Sequence, residues 1–349
     1  MLSTPKERGF FFPAEWHPHE ATWITFPHND HSWQGDKLSQ MYPEYFALIK
    51  AISQGEKVKI NVNHEALKNF ILGELPKYDI DPLQIELFIR PTNDAWCRDH
   101  GPAFLIKNDS SERLIVDWGY NAWGGKYPPF DADNQIPQAI AKDVALAFQS
   151  PGIIMEGGSV EFNGKGTVLT SRSCLLNPNR NPHLNQEQIE NYLKDYYGVD
   201  QVLWVSDGIV GDDTDGHIDD TVRFVNENTV ITMVEPKVED ENHAVLAQNL
   251  SELKEMRLLD GSPLNIIEIP MPEAVVIDEF RAPGSYANFY ICNAAVIVPI
   301  FDCPQDALAL DILSQLFTDR PVIGLSAREI IWGQGSFHCL TQQEPKAAL

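Results

Sequence analysis

The chain has 349 residues, is 43% hydrophobic, and sets 26 Lys and Arg against 50 Asp and Glu for a net charge of -24. That charge disfavours nucleic acid and anionic membrane surfaces as partners and draws in small cations. Five widely spaced cysteines without a C-x-x-C pair indicate neither a disulfide scaffold nor a thiolate zinc site.

In chain order, Met1 to Pro13 carries Lys6, Glu7 and Arg8 beside a short apolar run, Phe10-Phe11-Phe12, far below a secretory h-region, so a cytoplasmic location is expected. No Pro/Gly/Ser linker or shift in composition divides the sequence, and residues 1–349 read as a single domain. The first polar cluster that leads into a strand is Trp96-Cys97-Arg98-Asp99-His100-Gly101-Pro102, followed by Ala103 to Ile106. The same shape returns at Glu156-Gly157-Gly158 before Val160 to Phe162 and Thr167 to Thr170. It returns again at His217-Ile218-Asp219-Asp220 before Val222 to Phe224 and Thr229 to Val234, and at Asn288 before Phe289 to Ile291 and Ala295 to Pro299. The apolar run Ala294 to Phe301 is one buried strand, too short to cross a membrane. The last cluster, Gly333-Gln334-Gly335-Ser336-Phe337-His338-Cys339, ends on a cysteine before the strand-like Leu340-Thr341.

Helical spacing of Ile189, Tyr192 and Leu193 predicts a helix over Gln186 to Tyr197. Val245, Leu246, Leu250 and Leu253 predict another over Asn242 to Met256. A unit of two strands and a helix recurring about every 60 residues suggests a closed, pseudo-symmetric array. If each cluster holds the same place in its unit, all five converge on one axial pocket.

Two carboxylates, Asp99 and Asp219, suit a guanidinium, whose fork of N–H donors pairs bidentately with carboxylate oxygens. Trp96 offers such a planar group a flat wall. Cys339 is the only thiol among the five heads and the natural nucleophile toward the guanidinium carbon. His217 is suited to protonate the departing nitrogen and then to deprotonate water, with Glu156 accepting a hydrogen bond from its ring. This chemistry needs no metal. Asp212 to Gly216 fails as an EF-hand, because alignment on Gly216 puts Gly211 and Val222 where acidic ligands belong. His338 and Cys97 neighbour key heads, but alternation along a strand turns them to the opposite face and gives both a structural role.

These residues resemble the agmatine deiminase branch of the guanidine-modifying, or pentein, superfamily. The resemblance rests on Trp96 to Pro102 (W-x-R-D-x-G-P), Glu156-Gly157-Gly158 (E-G-G), Thr214 to Asp219 (T-D-G-H-x-D) and His338 to Pro345 (H-C-x-T-Q-Q-x-P). Pro13 to Trp16, Ala21 to Trp23 and Asn121 to Tyr127 also fit, so it spans nearly the whole chain. It implies a five-bladed α/β-propeller that hydrolyses agmatine to N-carbamoylputrescine and ammonia without a cofactor. Carried over, Cys339 is the nucleophile, His217 the general acid/base, Glu156 its partner, Asp99 and Asp219 the guanidinium-binding carboxylates, and Trp96 a substrate wall. The cysteine loop departs from the pattern, with Gln334 and Ser336 where glycines are usual.

Alternatives are a deiminase or amidinotransferase acting on arginine or peptidyl-arginine, with Arg281 as a loose candidate clamp for a substrate carboxylate, and a non-catalytic binder of guanidines or polyamines. A metal-dependent hydrolase using His217, Asp219 and Glu156 is a third. The expected partner is a small cationic guanidine, and the sequence is compatible with a monomer or a homo-oligomer.

Overall fold

The computed structural model describes residues 3–347, and in it the recurring segments become five mixed sheets with one build. A short helical turn leads into a strand, an antiparallel partner follows, and a helix carries the chain back to a third strand parallel to the second. In the unit headed by Cys97–His100, strands Ala103–Lys107 and Arg113–Val116 are antiparallel, helix Ile136–Asp143 crosses over, and Phe148–Gln149 is parallel. The next unit uses turn Gly157–Ser159, strands Val160–Phe162 and Thr167–Ser171, helix Gln186–Tyr197 and strand Gln201–Val205. Turn Ile218–Asp220 heads Val222–Phe224, Thr229–Val234, helix Glu241–Glu255 and Asn265–Pro270. Turn Tyr286–Asn288 heads Tyr290–Ile291, Val296–Ile300, helix Gln305–Leu316 and Val322–Ser326.

The fifth unit joins the two ends of the chain. Its turn, Phe337–Leu340, and first strand, Thr341–Pro345, lie near the C-terminus. Its second strand, His19–Thr25, its helix Lys37–Ser53 and its parallel strands Lys57–Val62 and Ile85–Ile89 lie near the N-terminus. A parallel pair cannot be joined by a tight turn, so each unit needs a crossover, and the sequence supplies amphipathic helices for it. Helix Gln186–Tyr197 starts on a capping box between Asn185 and Gln188, stops at Gly198 in the left-handed conformation, and buries Ile189, Leu193 and Tyr197 at four-residue spacing. Each such side chain removed from water is worth about 1.5–3 kcal/mol.

The five turns also touch one another in order. Cys97–His100 contacts Gly157–Ser159, which contacts Ile218–Asp220, then Tyr286–Asn288, then Phe337–Leu340, and the last contacts the first. The polar heads are thereby gathered at one end of all five sheets. A hairpin, Val276–Ile277 with Phe280–Arg281, stands outside this pattern. Among the described residues no helix is long and apolar enough to cross a membrane.

The union of the chain's ends is fastened by a buried carboxylate. Glu344 accepts from the indole of Trp23 at 2.8 Å, from Lys59 at 2.8 Å and from Arg113 at 2.9 Å. Removing one partner of such a cluster leaves buried charges without a counterion. Glu344→Ala is expected to cost about 3 kcal/mol or more of stability, read from the midpoint of denaturant unfolding. A midpoint within error of the unaltered protein would show that strand pairing alone closes this sheet.

Candidate active site

The approach to His217 is built by Asp212. Its Oδ2 accepts from the backbone N–H of Gly216 at 3.0 Å and of His217 at 2.9 Å, and its Oδ1 accepts from the N–H of Thr214 at 2.8 Å. The acidic run that precedes the histidine is thus a turn folded around Asp212, with Asp213 and Asp215 held from outside by Lys126. It delivers a fully buried imidazole to the centre of the five heads.

His217 Nδ1 lies 3.7 Å from Asp99 Oδ1, and neither ring nitrogen has a hydrogen-bond partner. Asp99 is held from two other sides, accepting from the N–H of Gly158 at 3.0 Å and from the indole of Trp123 at 2.9 Å. Gly158 stands where three functional groups meet. A Cβ there would fall 2.6 Å from His217 Nδ1, 2.9 Å from Asp99 Oδ1 and 3.0 Å from Asp219 Oδ2. Real Cβ atoms do not approach so closely, so this position in the E-G-G turn admits only glycine.

Cys339 is fixed by Asn288. The Asn288 amide donates to Sγ at 3.1 Å and to Asp220 Oδ1 at 2.9 Å, while its oxygen accepts from the N–H of His338 at 3.1 Å. Asp219 Oδ2 lies 3.8 Å from the sulfur. Burial and then Asp219, Asp220 and Asp99 push the thiol well above its ordinary range. Burial and Glu156 raise Asp99 to about 7, and burial and Asp99 raise Asp219 well above a normal carboxyl. Burial and Arg180 push His217 well down. Burial is the largest cause in each, and crowding of like charge adds to it. A cation placed among these carboxylates would favour their ionised forms and that of the thiol.

The structure brings Asp99, Glu156, His217, Asp219, Asn288 and Cys339 to one place but joins them differently from expectation in two respects. Glu156 does not hydrogen-bond His217. Its Oε1 accepts from Arg180 Nε at 2.6 Å, its Oε2 has no partner, and one of its oxygens lies within 4.8 Å of a ring nitrogen of His217. Arg180 also reaches Asp215 Oδ2 at 2.5 Å and the carbonyl of Thr214 at 2.8 Å, tying Glu156 to the turn that carries His217. His338 does not face away. Residues 337–340 form a helical turn rather than a strand, so consecutive side chains do not alternate, and His338 Nδ1 lies 2.6 Å from Asp219 Oδ2. Cys97 keeps the core position expected of it.

Glu156, Cys174 and His217 bring three potential metal-ligand atoms within 4.8 Å of one another. The guanidinium of Arg180 already occupies that carboxylate, and an ion there would meet its positive charge. Trp96 lies between Trp33, stacked at 5.3 Å, and the cysteine loop, where a Cβ on Gly335 would fall 2.5 Å from its ring. Its flat face therefore supports the loop from beneath. Gln334 takes φ 71° and ψ 24°, the left-handed conformation that explains glycine as the usual occupant, whereas Ser336 at φ -137° is extended and has no such constraint.

The model of the Porphyromonas-type peptidyl-arginine deiminase family matches residues 11–345. The agmatine deiminase of Pseudomonas putida is 36% identical over 99% of this chain and 98% of its own length. Among solved structures, the agmatine deiminase of Enterococcus faecalis superposes with a TM-score of 0.89 at 32% identity, covering 99% of each chain. A C. jejuni agmatine deiminase with substrate bound, in which a cysteine is replaced by serine, gives a TM-score of 0.87 at 32% identity over 97% of each chain.

Because Gln334 holds a backbone conformation that disfavours a side chain, Gln334→Gly is expected to raise stability by about 0.5–1 kcal/mol. Denaturant unfolding checks it, and a destabilised variant would show that contacts of the Gln334 side chain outweigh the backbone cost.

Proposed function

The chain belongs to the Porphyromonas-type peptidyl-arginine deiminase family, and on that premise we propose that it hydrolyses agmatine to N-carbamoylputrescine and ammonia through a thiouronium intermediate on Cys339. The observation that carries this reading is the company of the thiol: Asp219 at 3.8 Å, Asp99 and Asp220 close by, and Asn288 donating to the sulfur. Such a pocket lacks one cation, and a guanidinium supplies it.

In this reading the guanidinium sits between Asp99 and Asp219, and its charge offsets the repulsion that keeps the thiol protonated. As the Cys339 sulfur bonds to the guanidinium carbon its proton passes to His217, which gives it to one nitrogen, and ammonia leaves. His217 then takes a proton from water, the resulting hydroxide adds to the same carbon, and the carbon–sulfur bond breaks to return the thiolate. The hydroxyl proton of the product passes through solvent to the departed ammonia as the urea forms, and the thiolate recovers its proton from His217. Glu156, anchored by Arg180, faces the imidazole and favours its charged form as it takes up that proton. Trp96 shapes the wall through the loop it supports, and Trp123 holds Asp99 in place.

Agmatine is favoured over free arginine because Arg281, the loose candidate clamp for a substrate carboxylate, is engaged by Asp240 at 2.8 Å. The ordered contacts between the five turns support a closed five-bladed propeller acting as a single catalytic domain over residues 1–349. Five unpaired cysteines support a cytoplasmic setting.

Cys339→Ala is expected to lower ammonia release from agmatine by at least about a thousandfold. Gly158→Ala is expected to lower it by about a hundredfold or more and to lower the melting temperature as well, since its methyl group would push the buried His217 and Asp99 out of place. Residual activity near wild type in either variant would overturn the assignment of the site. Asp99 must be ionised to hold the cation, and its carboxyl is pushed up to about 7. The value of kcat/KM should therefore fall as the medium is acidified through pH 7. A plateau extending down to pH 5 would contradict it.

A further inference from the structure

His338 sits between two buried carboxylates. Its Nδ1 lies 2.6 Å from Asp219 Oδ2 and its Nε2 lies 2.8 Å from Glu15 Oε2. Glu15 is tied down from every side, with Arg98 on Oε2 at 3.1 Å, and Arg223 at 2.9 Å and the N–H of Ile291 at 2.8 Å on Oε1. A neutral imidazole owns one N–H, yet both nitrogens meet carboxylate oxygens at hydrogen-bond length, so the three side chains together hold a second proton. The surroundings say where each belongs. Burial pushes Glu15 up, but Arg223, His338 and Arg98 outweigh it and hold Glu15 ionised, so Nε2 carries its hydrogen toward Glu15. The other proton lies on the Nδ1 to Oδ2 contact. Asp99, Asp212, Asp220 and the thiol of Cys339 crowd the Asp219 end, Glu161 lies beyond the Glu15 end, and Arg98 and Arg223 act on all three side chains.

We infer that Asp219, His338 and Glu15 form a proton relay for cation capture, in which a guanidinium entering the pocket drives the proton on Asp219 Oδ2 across the 2.6 Å contact to His338 Nδ1. The O–H bond of Asp219 breaks and the N–H bond of His338 forms, with no other bond changed and no proton released to solvent. The carboxylate thus generated pairs with the guanidinium, and the imidazolium pairs with Glu15. His338 is a positioning residue in this scheme, since it acts on the substrate only through Asp219. The inference rests on the proposed guanidine substrate and adds how a buried carboxyl becomes anionic there.

Calorimetric titration of the Cys339→Ala protein with agmatine at pH 8, in two buffers of different ionisation enthalpy, counts the protons exchanged on binding. Removing the thiol removes its own contribution. The Cys339→Ala protein is expected to release well under one proton per agmatine. The further change His338→Gln, which keeps a donor beside Asp219 but cannot take up a proton, is expected to raise the release by close to one and to weaken binding about tenfold or more. Asp99 contributes equally to both proteins and drops out of the difference. A full proton released while His338 is present would overturn the relay, as would an unchanged count in His338→Gln. Should the double variant fail to fold, the count in Cys339→Ala decides alone. Unaltered protein that turns over no agmatine would overturn the substrate assignment instead, and the same count would then be read with guanidinium ion.

Discussion

Repulsion among buried carboxylates is the constraint on which the rest of the site depends. Asp99, Asp219, Asp220 and Glu156 are all withdrawn from water and all raised above an ordinary carboxyl, with burial the first cause in each. Glu156 is paired with Arg180, and the other three offset their mutual repulsion by holding protons. The thiol of Cys339 is held in its unreactive form by the same field. In the proposed function a guanidinium relieves both conditions at once, which makes binding and activation one electrostatic event. The net charge of -24 gives that event a long-range counterpart by raising the local concentration of cations.

Holding such a cluster in place falls to the groups packed behind it. Arg180 fastens Glu156 to the loop of His217, Asp212 folds that loop, Asn288 locates the sulfur, and Arg98 and Arg223 anchor Glu15 behind His338. Arg180, Asn288, Arg98 and Arg223 are buried, Asp212 is half-buried, and all five are hydrogen-bonded, which limits the rotamers open to the residues in front. Gly158 completes the arrangement by having no side chain, since any Cβ would occupy the space shared by the imidazole and both carboxylates.

Much of this was legible in the sequence. Recurrence of a polar head before a strand located the five units, and the spacing of Ile189, Tyr192 and Leu193 located helix Gln186–Tyr197 to the residue. The expected helix over Asn242 to Met256 forms one residue earlier, because the Asp240 side chain caps it. The chemistry-bearing residues announced themselves by type. What stayed hidden were the supports. Glu15 reaches His338 across 323 residues, and Arg180 reaches Glu156 from a proline- and asparagine-rich turn that carries no chemical signature of its own. His338 was hidden for a local reason, since a four-residue helical turn replaced the expected strand and removed the alternation on which its outward placement depended.

The fifth unit is assembled from both ends of the chain, with Thr341–Pro345 paired to His19–Thr25. Cys339 stands two residues before the strand that makes this union, while Asp99, Glu156 and His217 come from the units between. Residues 96–345 contain every one of these side chains, but the strand that Thr341–Pro345 pairs with lies outside them, at His19–Thr25. The pairing that completes the fifth sheet therefore also sets the thiol in place.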